Sequence, residues 1–242
     1  MTRYLTMIAV LLLPVGIAGC LYDSPESYSN SVDQMSFERK AGEFSSVRLR
    51  GNYLVRLENA EVSSVEINAH DDLKKLIFVE IRDGVLTVKN VEERTLNNRN
   101  KAELVIKAPE IEFIEVLESA KIVADQPFRF DELRIESAGA LKMDIELIGN
   151  QFTGVFAGAT DLNLRGEVKK VKFNIPGAGK VSAFDLKTQE LDLSMSGAAK
   201  AEVYAEKRLK VDVAGACTVV YKGNPDEVFT NISGIGRVNE AR

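Results

Sequence analysis

With 242 residues, 45% hydrophobic and 28% charged content, no Trp and only six Pro, the chain has the composition of an ordinary globular protein. That length is ample for a core and excludes an intrinsically disordered polymer. Its formal net charge of −5 leaves no basic footprint for phosphate backbones, so nucleic acid is excluded as an expected partner.

The N-terminus reads as a targeting segment. Arg3 gives a short positive region, Leu5 to Val15 an apolar stretch, and Ile17-Ala18-Gly19-Cys20 closes it. The apolar run is too short for a stable transmembrane helix. Small residues directly before Cys20 resemble the lipobox of bacterial lipoproteins. That resemblance implies that residues 1–19 are a signal peptide removed before Cys20, whose thiol carries lipid and whose new terminus is acylated. Cleavage removes Arg3 alone among charged residues, leaving a formal charge of −6. Cys217 then has no disulfide partner and reads as a small corner residue rather than a nucleophile. The Ser-, Asn- and acid-rich segment after Cys20 reads as a tether. Residues 20–38 thus form the lipidated Cys and its flexible linker, which is ~60 Å when stretched.

From residue 39 to 242 the chain reads as one β-patterned domain. Val47 and Leu49, then Tyr53, Val55 and Leu57, alternate with polar residues around Gly51-Asn52, and Val65 and Ile67 make a short run. Asp72 to Phe78 allows one helical turn. Val79 to Val88 reads as a hairpin, because Asp83-Gly84 suits the positive φ of a tight turn. The polar stretch Glu92 to Lys101 reads as an exposed loop before Leu104-Val105-Ile106.

Residues 113–238 carry the clearest signal. Seven phrases start at Phe113, Leu133, Phe152, Val171, Leu191, Leu209 and Val228, a near-constant spacing. Each alternates apolar and polar residues, reaches a small pair, and alternates again. The pairs are Ser119-Ala120, Gly139-Ala140, Gly158-Ala159, Gly177-Ala178, Gly197-Ala198, Gly215-Ala216 and Gly234-Ile235. A steady period of about 19 residues marks a β-solenoid, and alternation of period two makes each rung two short strands. Gly139, Gly158, Gly177, Gly197, Gly215 and Gly234 are the expected corner residues, where Gly permits positive φ. Polar turns such as Gly149-Asn150 and Gly223-Asn224 close the rungs, and Leu133, Phe152, Val171, Leu191, Leu209 and Val228 stack down one inner wall. A barrel or sandwich of hairpins explains the alternation but not the recurrent corner.

The lipobox and tether, Gly51-Asn52, Asp83-Gly84-Val-Leu-Thr-Val and the serial Gly-Ala corners resemble the bacterial head GIN domain family of auto-transporter adhesins (DUF2807-type). The closing Tyr221 to Pro225 and Ile232 to Val238 fit as well, so the resemblance runs from about Phe37 to the C-terminus. It implies a right-handed parallel β-helix similar to pectin-lyase-like folds, without their catalytic residues. It also implies a role in adhesion and a place in the bacterial cell envelope, by default the outer membrane.

Catalytic and metal signals are weak. His70, the only histidine, lies beside Asp71 and Asp72 without a nucleophile motif and reads as a surface residue near a turn. Glu115, Glu118, Glu136, Asp144, Glu146 and Asp161 sit at differing repeat offsets, which speaks against a carboxylate pair for glycoside hydrolysis or a calcium ladder. Lys142, Lys180, Lys200 and Arg237 share a column broken by Ile122, Asp161 and Thr218, a basic strip or simply a solvated face. Phe113, Phe152, Phe156 and Phe173 read as core, and no phosphate loop or cofactor motif is present. The expected function is a non-enzymatic, lipid-anchored envelope protein presenting a β-helical surface to a protein or glycan ligand. Two alternatives stand beside it: a polysaccharide-active enzyme or carbohydrate-binding module, and an assembly protein whose open ends stack into a homo-oligomer.

Overall fold

Alternation of apolar and polar residues forces each strand to bury one face, and a chain that repeats this at a steady period does so by winding upon itself. The computed structural model describes residues 39–40, 42–91 and 102–241. The expected signal peptide, Cys20, the tether and the expected loop at 92–101 lie outside the described residues.

The described chain begins with β1 (Arg39–Lys40), β2 (Ser46–Arg50) and β3 (Asn52–Asn59). It continues as β4 (Ser64–Asn68), the single turn α1 (Asp71–Lys74), β5 (Ile77–Arg82), β6 (Val85–Asn90) and β7 (Ala102–Ala108). The expected hairpin is β5–β6, antiparallel with Arg82 opposite Val85. Its turn residues Asp83 and Gly84 both have positive φ, 51° and 75°. β6 and β7 pair in parallel with β2 and β3, so the later strands, 85–90 and 102–108, lie outside the earlier winding, 46–59. β4 and β5 finish that end as antiparallel strands on β7 and β6. Tyr53 joins the two layers. Its buried hydroxyl donates to Asn90 Oδ1 at 2.8 Å, and burial pushes its phenol well above the usual tyrosine range.

On the other side of β2 and β3 stack β8 (Phe113–Val116) and β9 (Ser119–Val123). Then follow β10 (Phe128–Ser137), β11 (Ala140–Phe156), β12 (Ala159–Ile175), β13 (Ala178–Tyr204) and β14 (Arg208–Lys222). β15 (Glu227–Gly234) and β16 (Arg237–Glu240) pair with the two arms of β14. From β8 onward the rungs pair in parallel, Leu133 meeting Phe152 and Phe152 meeting Val171, with one register shift between β12 and β13 after Asn163. The parallel β-solenoid expected from the repeats is therefore the fold, with two further layers of strands, β2 with β3 and β6 with β7, added at its N-terminal end. Leu133, Phe152, Val171, Leu191, Leu209 and Val228 stand in one inward file.

Aromatic rings fill the middle of the core. Phe152 meets Phe173 edge-on, with centroids 5.2 Å apart at 86°. Two glycines make room for such rings: a Cβ on Gly154 would fall 2.3 Å from the Phe156 ring, and one on Gly149 2.3 Å from the Phe130 ring. Gly149-Asn150, expected as a turn, lies inside β11 and clears space for Phe130. At Gly223-Asn224 the chain does turn, with φ of 108° and 53°.

The corner glycines stack in one row, and two different constraints act there. Gly197, Gly215 and Gly234 have positive φ, 91°, 102° and 100°. Gly139, Gly158 and Gly177 do not, so the expected reason fails at those three, and close approach replaces it. A Cβ on Gly139 would lie 1.6 Å from the Glu118 carbonyl oxygen, and one on Gly158 1.9 Å from that of Gly139. The rungs stay hydrogen-bonded through the bend: the Ala140 N–H donates to the same Glu118 oxygen at 2.8 Å.

The first phrase is displaced by one residue from its expected register. Phe113 pairs with Arg134 rather than Leu133, and Ser119 with Ala140 rather than Gly139. Ile114 and Val116 therefore take the inward positions while Phe113 is half-buried. The corner of this rung is Glu118-Ser119, and the row reads Gly51, Glu118, Gly139 and onward, since Asn52 also pairs with Ser119. Counting from the first apolar residue misplaces this rung because it is longer than those that follow, as Phe113 opposite Arg134 shows.

Replacing Gly139 by Ala is expected to lower unfolding free energy by about 2 kcal/mol or more, the upper range for forcing atoms into a packed interior. Gly42→Ala, whose Cβ meets nothing nearer than Ile81 at 4.0 Å, is expected to stay within about 0.5 kcal/mol. Urea unfolding midpoints check both; equal midpoints would remove the close-approach explanation.

Candidate functional site

Outward residues of successive rungs line up in files along the solenoid, at the ~4.8 Å spacing of paired strands. On the first-arm wall, Thr153, Lys172, Asp192 and Lys210 form one file. Lys170, Glu190 and Arg208 form the next. Together they line a shallow depression of about 220 Å³, in which four cations face two carboxylates. Lys170 reaches Glu190 at 3.7 Å, and Lys210 reaches Asp192 at 3.9 Å and Asp212 at 3.0 Å. The hydrogen bond to Asp212, with the charges of Asp192 and Asp212, holds the exposed Lys210 ammonium above its ordinary range. Arg208 lies over the Phe229 ring, 5.6 Å from its centroid. In a chain of net negative charge this depression is a local concentration of cations. Reading phrase by phrase misses it, because its members are joined only through rung register; aligning the outward positions of the repeats is the signal that finds it.

The second-arm wall carries the expected basic column in altered form. Lys121, not Ile122, stands beside Lys142, because of the one-residue displacement; Ile122 is buried opposite Met143. Lys142, Asp161 and Lys180 follow in register, and Lys200, Thr218 and Arg237 make a second segment. Asp161 sits 2.8 Å from Lys142 Nζ, and this hydrogen bond first, then its charge, raises the lysine's pKa. Asp144 accepts from Arg165 at 2.8 Å and Asn163 at 3.0 Å; chiefly through the Arg165 hydrogen bond, its carboxyl is held below the usual range. On this wall Lys142, Arg165 and Lys200 are each paired with an acid.

The same displacement corrects the reading of the acids. Glu115 and Glu136, expected at different offsets, are direct partners on neighbouring rungs. Each is matched by an arginine: Arg48 Nε lies 2.5 Å from Glu115, and Arg134 pairs with Glu136. The two carboxylates thus act as anchors of ion pairs at a rung junction. His70 is exposed, and its carbonyl accepts from Leu73 and Lys74 at the start of α1. Cys217 is buried, its Sγ 3.7 Å from the Gly197 carbonyl. Among the described residues, no group of three or more His, Cys, Asp or Glu is placed to hold a metal ion. The six corner glycines line the bend and contribute no chemistry, and Cys20 lies outside the described residues.

Residues 43–225 match the family model described as "Putative auto-transporter adhesin, head GIN domain". A comparison with curated proteins finds no match. Among solved structures, a "putative adhesin" from Bacteroides fragilis superposes with a TM-score of 0.80 at 20% identity, covering 86% of this chain and 96% of that one. One from Parabacteroides merdae gives 0.64 at 19%, over 86% and 95%. A "putative lipid binding protein" from Parabacteroides distasonis gives 0.62 at 16%, over 86% and 96%. At these identities the structures establish the shared solenoid fold. With three quarters of its length inside the family model and its glycine corners stacked in one row, the chain belongs to the DUF2807 head GIN domain family.

Proposed function

We propose that this protein is a non-enzymatic, lipid-anchored adhesin of the bacterial cell envelope, held at the outer membrane by Cys20. Its first-arm wall binds an acidic glycan. The adhesin part draws on the family description, and the solved relatives described as adhesins share the fold.

The single observation that carries the ligand reading is the cation-rich depression around Lys172. Lys170 and Lys172 share one rung and Arg208 and Lys210 lie two rungs on, with Glu190 and Asp192 on the rung between, a geometry suited to a polymer whose anionic groups fall about two rungs apart along the files. Each contact would be weak and exposed, so binding would come from many contacts along the polymer and weaken with salt.

Lys172→Glu combined with Arg208→Glu is expected to reduce binding to acidic glycans on an array by at least tenfold, as rim charges steer association. Lys121→Glu with Lys180→Glu on the other wall is expected to change it little. Binding that survives the first pair, or that favours neutral glycans, contradicts the assignment. For the anchor, Cys20→Ser is expected to abolish incorporation of labelled fatty acid and to release the protein from the membrane fraction; a variant that still takes up label removes the anchor from the account.

A further inference from the structure

The two ends of the solenoid are finished differently. At the N-terminal end, antiparallel β4 and β5 cover β7 and β6, and their inward residues Val65, Ile67 and Ile77 are buried. Exposed or half-exposed Glu66, Glu80 and Arg82 put charge on those strands. At the other end, the last winding has no strand beyond it among the described residues: β15 and β16 pair only with β14. The backbone donors and acceptors of β15 that are not used on β14 face outward, an edge that folded proteins usually blunt. Its core positions are also open. Val228 and Ile232 continue the files of Leu209 and Val213, yet they are 42% and 44% exposed, and Ile235 is 80% exposed. Leu209 and Val213, one rung inside, are 0% and 3% exposed.

We infer that this C-terminal edge is the interface of a two-fold dimer, in which β15 pairs antiparallel with β15 of a second copy. The sequence of the strand is self-complementary for that arrangement. Antiparallel pairing centred on Thr230 sets Val228 opposite Ile232 of the second copy, Ile232 opposite its Val228, and Thr230 opposite its Thr230. All of these are inward positions, so the core of one solenoid runs on into the other. On the outer face, Phe229 meets Asn231 and Glu227 meets Ser233, so no like charges stand opposed. Such an interface is isologous and closes after two copies. Head-to-tail stacking would instead press this edge onto the antiparallel, charged strands of the N-terminal end, which offer no parallel rung to extend. The dimer leaves the first-arm wall of both copies free and doubles the surface open to a polymeric ligand.

The test places a single cysteine on the two-fold axis of the full chain purified in detergent. Antiparallel partners have Cα atoms about 4.5–5.5 Å apart, within the range that a disulfide spans. Thr230→Cys is expected to give a disulfide-linked dimer under mild oxidation, whereas the unmodified chain and Thr153→Cys, mid-wall, do not. Light scattering of the unmodified chain is expected to show a concentration-dependent dimer. Ile232→Lys, which puts a charge in the joined core, is expected to raise its dissociation constant by more than about tenfold. A chain that stays monomeric at every concentration, a ladder of ever larger species, or Thr153→Cys linking as readily as Thr230→Cys would overturn the proposal.

Discussion

Where each winding bends from its first arm to its second, the backbone of one rung rests on a carbonyl of the rung before. At Gly139 and Gly158 the approach is so close that a single methyl group would overlap a backbone oxygen, while the neighbouring Ala140 N–H still hydrogen-bonds across the same gap. At Gly197, Gly215 and Gly234 the bend takes another form, with positive φ that a side chain would resist. Either way the row tolerates only glycine, apart from Glu118, where the displaced rung enters. Everything else follows from keeping the rungs in register through that bend: the inner files of Leu, Val and Phe, the ring stack around Phe152, and the outward files of charge.

Because side chains are carried in files, the surface properties of the protein are one-dimensional. A residue's neighbours are the ones a full winding before and after it more than those beside it in sequence. This is why Lys170, Lys172, Arg208 and Lys210 meet across three rungs, and why Glu115 and Glu136 become neighbours held by Arg48 and Arg134. It also explains why ion pairs bridge rungs on both walls, Lys142 with Asp161 and Arg165 with Asp144 on the second arm, Lys170 with Glu190 and Lys210 with Asp192 on the first.

The rungs from Leu133 to Val228 could be read from the chain because alternation, small-pair corners and spacing agree there. The rung before them could not be placed by counting alone. Phe113 is apolar and opens the phrase, yet Ile114 and Val116 bury, and one residue of displacement turns Lys121 outward and Ile122 inward. The N-terminal topology was further out of reach. Local patterning identifies the Asp83-Gly84 hairpin, but it does not say that β6 and β7 lie outside β2 and β3; that is decided by long-range pairing and by contacts such as Tyr53 with Asn90. Gly149 and Gly154 carry no local signature of their purpose either, since they make room for rings two residues or a full rung away.

The register itself is open to a direct chemical check. A cysteine pair at Thr153 and Lys172, partners on adjacent rungs, should form a disulfide readily, because parallel neighbours are ~4.8 Å apart. A pair at Thr153 and Asn174, on the same face but shifted by two residues, should not, since that places the Cα atoms about 8 Å apart. Rapid closure of the first pair alone is the predicted result. Equal or preferential closure of the shifted pair would contradict in-register stacking.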